Sequence, residues 1–141
     1  MRKLLFIGLL LAVFAGVAIP FVTDSTQAQQ PSKLLVVWTG DDKDAAINMV
    51  YMYTYFAKFN GWWDEVTFLV WGPSAKLLAE DADVQAELAK LKEAGVTLTA
   101  CIVCANRYGV TDQLKEMGLD VKGMGQPLTE MLQTGWTTIT F

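Results

Sequence analysis

The sequence contains no histidine and only two cysteines, Cys101 and Cys104, among its 141 residues. A structural zinc site usually takes four Cys or His ligands, and this chain does not supply that set. The alanine after Cys104 excludes the C-x-x-C-H pattern of haem attachment. Two cysteines are also too few for a disulfide-rich scaffold. We therefore predict neither a bound metal nor a cofactor.

Clusters of basic residues are also lacking. Residues 29–141 carry 9 Lys and Arg against 14 Asp and Glu. An acidic chain without a basic patch is not expected to bind nucleic acid. The sequence has no internal repeat and no low-complexity tract. Its length predicts a single domain that is large enough to bury a core.

The long apolar run at the N-terminus is typical of a secretory signal peptide. Two basic residues precede the apolar run from Leu4 to Ile19, and residues 26–28 (TQA) form a small-x-small cleavage site. We predict a signal peptide over residues 1–28 and a folded domain over residues 29–141. Residues 4–22 are also about long enough to span a bilayer, so an uncleaved anchor is the alternative. In both cases the domain is exported, to the periplasm or another extracytoplasmic space, and it meets a membrane only if the leader is retained.

Strand and helix signals alternate along the rest of the chain. Apolar, β-branched runs predict strands at 33–39, 65–72 and 96–103, followed by a short strand within 119–125 and a last one at 136–141. Helical patterns lie between them. This alternation predicts an α/β fold with a five-stranded parallel sheet covered on both faces.

Ligands of such folds bind beyond the carboxyl ends of the strands. Three segments are predicted to converge there: residues 39–44 (TGDDKD), 71–74 (WGPS) and 101–107 (CIVCANR). The first follows strand 1, the second follows strand 2 and the third follows strand 3. Trp71 and Gly72 are therefore candidate pocket residues.

The helix predicted at 42–59 is apolar on two faces. One stripe contains Ala45, Met49, Met52, Phe56 and Phe59, and a second face contains Ile47, Tyr51 and Tyr55. A helix that is apolar nearly all round is usually buried. A single small sheet covers only one of these faces, so we predict that the second face forms a subunit interface.

The two cysteines close the third strand and open the next helix. A helix N-terminus stabilises a thiolate and lowers the pKa of the thiol, which favours a reactive dithiol of the C-x-x-C type. Core packing is the other interpretation, because unpaired cysteine commonly serves as a small buried hydrophobe. The local pattern leaves both interpretations open.

The segment VTLTACIVCANRYG (residues 96–109) resembles the DsrE/DsrF-like family. In that family a strand of the type V-x-L-x-x-C is followed by small residues, then an Arg and a Gly. The similarity extends over nearly all of residues 29–141, including VVWTGDD, VTFLVWGPSAKLLAED and PLTEMLQTGWTTITF. The resemblance implies a three-layer α/β/α fold with a five-stranded parallel sheet, assembled as a homo-trimer or hexamer. The family pattern is carried here by Val96, Leu98, Cys101, Arg107 and Gly109.

The same resemblance implies sulfur transfer. Cys101 would accept a sulfane sulfur as a persulfide and hand it on, with sulfur donor and acceptor proteins or small sulfur compounds as partners. Arg107 would help to hold an anion near the cysteines. The alternatives are a non-catalytic oligomeric binding or assembly module and a periplasmic C-x-x-C dithiol oxidoreductase. The catalytic candidates are Cys101 and Cys104, and the substrate-binding candidates are Arg107, Asn106, Trp71 and Gly72.

Two features depart from the relay members of the family. Those proteins work in the cytoplasm, whereas this chain is predicted to carry an export signal. Cys104 also stands where relay members often have alanine. A second thiol would be able to attack a persulfide on Cys101, release sulfide and leave a disulfide.

Overall fold

The computed structural model describes residues 31–141, so the predicted signal peptide at 1–28 lies outside the described residues. The strands form one sheet in the order β4-β3-β2-β1-β5, and all neighbouring strands pair in parallel. The predicted five-stranded parallel sheet is therefore confirmed. The strands are β1 (Lys33–Trp38), β2 (Glu65–Val70), β3 (Thr97–Cys101), β4 (Asp120–Lys122) and β5 (Thr137–Thr140).

Helices cover both faces of this sheet, which confirms the predicted three-layer α/β/α arrangement. Buried side chains from the π-helical segment through α6 pack on one face, and α7 packs on the other face. None of the described helices is long and apolar enough to cross a membrane. The helical segments are α1 (Lys43–Ala45), a π-helical segment (Ala46–Tyr51), α2 (Met52–Phe59), α3 (Ser74–Glu80), α4 (Ala82–Glu93), α5 (Ile102–Tyr108), α6 (Thr111–Glu116) and α7 (Gly125–Gln133).

The strand sequences are apolar at successive positions because both faces of the sheet are buried. In β1, Leu34 and Trp38 join the larger core, while Leu35 and Val37 join the smaller core under α7. Trp38 also anchors an aromatic cluster with Tyr51 and Phe68, in which ring centroids lie 5.1–5.9 Å apart. Such offset and edge contacts add stability beyond the apolar area that they bury.

The structure corrects the assignment of the two apolar faces of the helix at 43–59. Tyr51 is only 1% exposed, and Ile47 and Tyr55 pack against the same core, so the face predicted as an interface is largely internal. Small residues, including Ala46 and Ala57, bring the helix close to the sheet. Four other large apolar residues of this helix are exposed instead. We call these the exposed helical stripe: Met49, Met52, Phe56 and Phe59, whose exposed fractions range from 43% to 64%.

Candidate functional site

Cys101 is the last residue of β3 and the N-cap of α5, with extended backbone angles. Alternation along the strand places its side chain in the smaller core, beside Leu69 and Met124. The residue is only 5% exposed. Cys104 lies in the first turn of α5, is half-buried and packs against the same cluster. Both thiols therefore lie on the α7 side of the sheet, at its carboxyl edge.

The strand order determines which loops surround Cys101. Because β3 lies between β2 and β4, the loops that follow those two strands flank the cysteine pair. A cavity of about 350 Å³ opens between them. Asp41, which follows β1, lines a different cavity. The lining residues of the cysteine cavity are Trp71, Cys101, Val103, Cys104, Arg107, Gly123, Met124 and Gly125.

Two opposing effects act on the Cys101 thiol, and their net result is a lowered pKa. Burial alone would raise the pKa, but hydrogen bonds to the sulfur from the N–H groups of Cys104, Val103 and Met124, together with the Cys104 thiol, outweigh it. The sulfur does not make the short cap bond that a Ser or Asp oxygen makes at this position. The N–H groups nevertheless favour the thiolate, because each places a positive hydrogen toward the negative sulfur.

The Cys104 thiol has a raised pKa, for which burial is the largest cause. The neighbouring Cys101 sulfur raises the pKa further, as a hydrogen-bond acceptor and as a negative charge. The N–H of Gly72 and the positive charge of Arg107 act in the opposite direction without cancelling these effects. The site therefore contains two neighbouring thiols whose pKa values are shifted in opposite directions, that of Cys101 downward and that of Cys104 upward.

The structure brings most of the candidate residues together. Trp71 and Arg107 line the cavity, and Gly72 directs its N–H toward Cys104. Asn106 is placed differently: its side-chain oxygen accepts a 2.6 Å hydrogen bond from the Thr111 hydroxyl, and it is outside the cavity lining drawn from the described residues. Asn106 thus joins α5 to α6. The substrate-binding roles of these four residues stay predictions.

Sequence reasoning missed the loop at Gly123, Met124 and Gly125, which forms one wall of the cavity. Met124 is 1% exposed, and its N–H is one of the three that face the Cys101 sulfur. The two glycines after the fourth predicted strand were a turn signal. Nothing in the linear sequence showed that this turn lies next to strand 3.

Within residues 31–141, no group of three or more His, Cys, Asp or Glu side chains is arranged to hold a metal ion. The two cysteine sulfurs are the nucleophilic atoms among the side chains that line the cavity. A thiolate in a mainly apolar, partly enclosed space is a nucleophile toward electrophilic sulfur.

The fold and the site define a three-layer α/β protein with two neighbouring thiols at the carboxyl edge of its parallel sheet. The model of the DsrE/DsrF-like family matches residues 32–141, and the chain belongs to this family, which is generally related to sulfur relay.

Solved structures that are similar to this chain include the following two. One is a conserved protein of unknown function from Bacteroides thetaiotaomicron, which is 38% identical with a TM-score of 0.76; the match covers 78% of this chain and 95% of that one. The other is the ychN protein of E. coli, which is 14% identical with a TM-score of 0.61 over 78% of this chain and 99% of that one. The second likeness shows the fold alone. No curated protein matches the sequence.

Proposed function

We propose that this protein accepts sulfane sulfur as a persulfide on Cys101 and passes that sulfur on. The observation that carries the proposal is the position of Cys101 in the wall of a cavity, where backbone N–H groups lower the pKa of its thiol. Only a thiolate attacks sulfane sulfur efficiently, and these N–H groups favour the thiolate. Membership of a family related to sulfur relay agrees with this chemistry.

The cavity suits a short, polarisable and anionic sulfur compound. Its lining is mainly apolar, with Trp71 and Val103 beside the thiols, and Arg107 supplies a positive charge at the same wall. The Cys101 thiolate attacks the terminal sulfur of the donor, and the rest of the donor leaves with the electron pair. Arg107 attracts the anionic donor and the persulfide anion that forms.

Intact-mass spectrometry of the reduced, anaerobic protein tests this proposal. After exposure to inorganic polysulfide and desalting, Cys104→Ser should gain the mass of one or more sulfur atoms. Cys101→Ser, which retains a cysteine in the same cavity, is the matched control and should gain none. Equal sulfur on both variants, or on neither, would contradict a specific role for Cys101.

We also propose that the protein is exported and works as a homo-oligomer, a trimer or a hexamer, with sulfur donors and acceptors as its partners. The exposed helical stripe supports an oligomer, because a contiguous apolar surface commonly marks an interaction site. Export would be tested by N-terminal sequencing of protein recovered from the periplasm, where a mature chain starting at residue 29 is expected.

A dithiol oxidoreductase is the second candidate function, because Cys101 and Cys104 line the same cavity and belong to the same packed cluster. That function needs both cysteines for thiol–disulfide exchange, whereas sulfur loading needs only Cys101. The exposed helical stripe would favour a third candidate, a binding or assembly module without chemistry. Such a module would keep its assembly in Cys101→Ser and would not be loaded with sulfur in any variant.

A further inference from the structure

The two thiols of the chain are direct neighbours. Cys101 is the N-cap of α5, and Cys104 follows three residues later in the first turn, so the two side chains lie on one side of the helix. Both thiols line the same cavity and belong to the same packed cluster, and both cysteines are free. We propose that Cys104 discharges the persulfide on Cys101, so that the site reduces sulfane sulfur to hydrosulfide. This inference rests on the proposed loading of Cys101.

Burial restricts which thiol is able to form a disulfide with a loaded Cys101. In the loaded state the Cys101 sulfur becomes the inner sulfur of the persulfide, and that residue is 5% exposed. Leu69 and Met124, both almost fully buried, pack around it. Cys104 lines the same cavity, whereas a thiol on another protein would have to enter the cavity to attack the inner sulfur. The nearest nucleophile is therefore in the same chain.

The two cysteines are suited to different steps. The lowered pKa of Cys101 favours the thiolate that attacks the donor, whereas the raised pKa of Cys104 favours its protonated thiol. Loading moves the negative charge of the Cys101 thiolate to the outer sulfur of the persulfide. The Cys101 sulfur then no longer raises the pKa of Cys104 by its own charge, while the Gly72 N–H and Arg107 continue to lower that pKa. Cys101 is therefore the attacking thiol of the first step and Cys104 that of the second.

The reaction balances without a further cofactor. In the first step the Cys101 thiolate attacks the terminal sulfur of polysulfide; a sulfur–sulfur bond of the donor breaks, and the shortened polysulfide leaves with the electron pair and takes up a proton. In the second step Cys104 attacks the Cys101 sulfur and expels the outer sulfur, which takes the Cys104 proton and leaves as hydrosulfide. The two cysteine sulfurs are oxidised to a disulfide, and the sulfane sulfur is reduced to sulfide. A dithiol reductant from outside then resets the pair by thiol–disulfide exchange.

The experiment compares the full chain with Cys104→Ser and Cys101→Ser under anaerobic conditions. Each protein is reduced, freed of reductant, exposed to limiting inorganic polysulfide and desalted. Intact mass reports retained sulfur or loss of two hydrogen atoms, and a colorimetric assay reports hydrosulfide. Each protein in buffer without polysulfide controls for oxidation by residual oxygen. Cys104→Ser isolates loading because it retains Cys101 and nearly the same side-chain volume.

We expect the unsubstituted protein to lose two hydrogen atoms, to retain no added sulfur and to release about one more hydrosulfide per chain than Cys104→Ser. The Cys104→Ser variant should retain the sulfur, and Cys101→Ser should neither load nor release it. If the unsubstituted protein retains its sulfur as stably as Cys104→Ser, the discharge role of Cys104 is overturned while the loading of Cys101 stands. If Cys104→Ser takes up no sulfur, both the loading and the discharge are overturned.

Discussion

Cys104 lines the same cavity as Cys101 and packs against the same cluster, and the pKa values of the two thiols are shifted in opposite directions. Interaction between the two thiols lowers the pKa of Cys101 and adds to the raised pKa of Cys104, for which burial is the largest cause. Cys101 also has three backbone N–H donors, whereas Cys104 has the single N–H of Gly72. The backbone therefore determines which cysteine is the nucleophile.

Cys104→Ala should raise the pKa of Cys101 relative to Cys104→Ser, because serine still offers a hydrogen-bond donor and alanine does not. Thiolate absorbance in the ultraviolet, followed through a pH titration, measures this difference. In Cys104→Ser the thiolate should persist below the pKa of an ordinary cysteine and be lost as the pH falls through the lowered value. Sulfur loading should follow the same curve. Identical titrations of the two variants would show that the Cys104 side chain has no influence on Cys101.

Arg107→Gln should slow the loading of Cys101 by polysulfide, because it removes the positive charge from the cavity wall. Arg107 is exposed, so we expect a roughly two- to fivefold effect at low salt, in line with about 1 kcal/mol or less for solvent-exposed charges. Added salt should reduce the difference by screening. Lys115→Gln, on α6 and outside the cavity lining, is the control for net charge. Equal slowing in both variants would assign the effect to overall charge.

Gly72→Ala should destabilise the protein and disturb Cys104. Gly72 has a φ of +80°, where an L-residue costs about 1–2 kcal/mol. The added Cβ would meet only the Thr39 carbonyl oxygen at 3.8 Å, so backbone strain and not a clash is the cause. Relaxation of this turn would move the Gly72 N–H away from Cys104. Because this N–H lowers the pKa of the Cys104 thiol, that pKa should then rise further. Urea unfolding and thiol titration measure the two effects.

Gly40→Ala is the matched control, because Gly40 follows a strand in the same way but has no positive φ and no atom within 4 Å of an added Cβ. We expect its unfolding free energy to change by less than about 0.5 kcal/mol. Equal losses of unfolding free energy in Gly40→Ala and Gly72→Ala would contradict backbone strain as the cause at Gly72.

The sequence predicted the sheet and the position of Cys101 because both depend on local patterns. Long apolar runs marked the buried parallel strands, and the change from a strand pattern to a helix at the cysteine pair placed Cys101 at a carboxyl end. The strand that pairs with β3 could not be identified from the local sequence. Met124 reaches Cys101 only because β4 pairs with β3, and that pairing depends on the packing of the whole chain.

The faces of the helix at 43–59 could not be assigned from hydrophobicity, because large apolar side chains occur on both. The structure buries the stripe that allows close approach to the sheet, including Ala46 and Val50, together with Tyr51. A π-helical segment at Ala46–Tyr51 also turns the chain less per residue than an α-helix does. An α-helical projection through this segment therefore misplaces the residues on either side.

Tyr51→Phe should leave the protein equally stable or make it more stable by up to about 1 kcal/mol. The Tyr51 hydroxyl is buried and has no hydrogen-bond partner among the described residues, and an unsatisfied buried donor costs about 1–3 kcal/mol. Burial raises the pKa of this phenol well above its usual value, with a smaller contribution from Glu87. Tyr51→Ala, which removes the ring from Trp38 and Phe68, should cost about 3–5 kcal/mol. Thermal and urea unfolding measure both variants, and a clear loss of stability in Tyr51→Phe would reveal a partner for the hydroxyl.

The exposed helical stripe should hold the subunits together, so Phe56→Glu should shift the protein toward monomers. Phe56 is 43% exposed and stands between Met52 and Phe59 on the same stripe, and a carboxylate buried there would lose its hydration without gaining a partner. Leu132→Glu is the matched control, because Leu132 is 53% exposed but lies on α7, on the opposite layer of the sheet. Multi-angle light scattering at micromolar concentration measures the assembly. A monomer in the unsubstituted protein would contradict the oligomer, and dissociation by Leu132→Glu alone would place the interface on α7 instead.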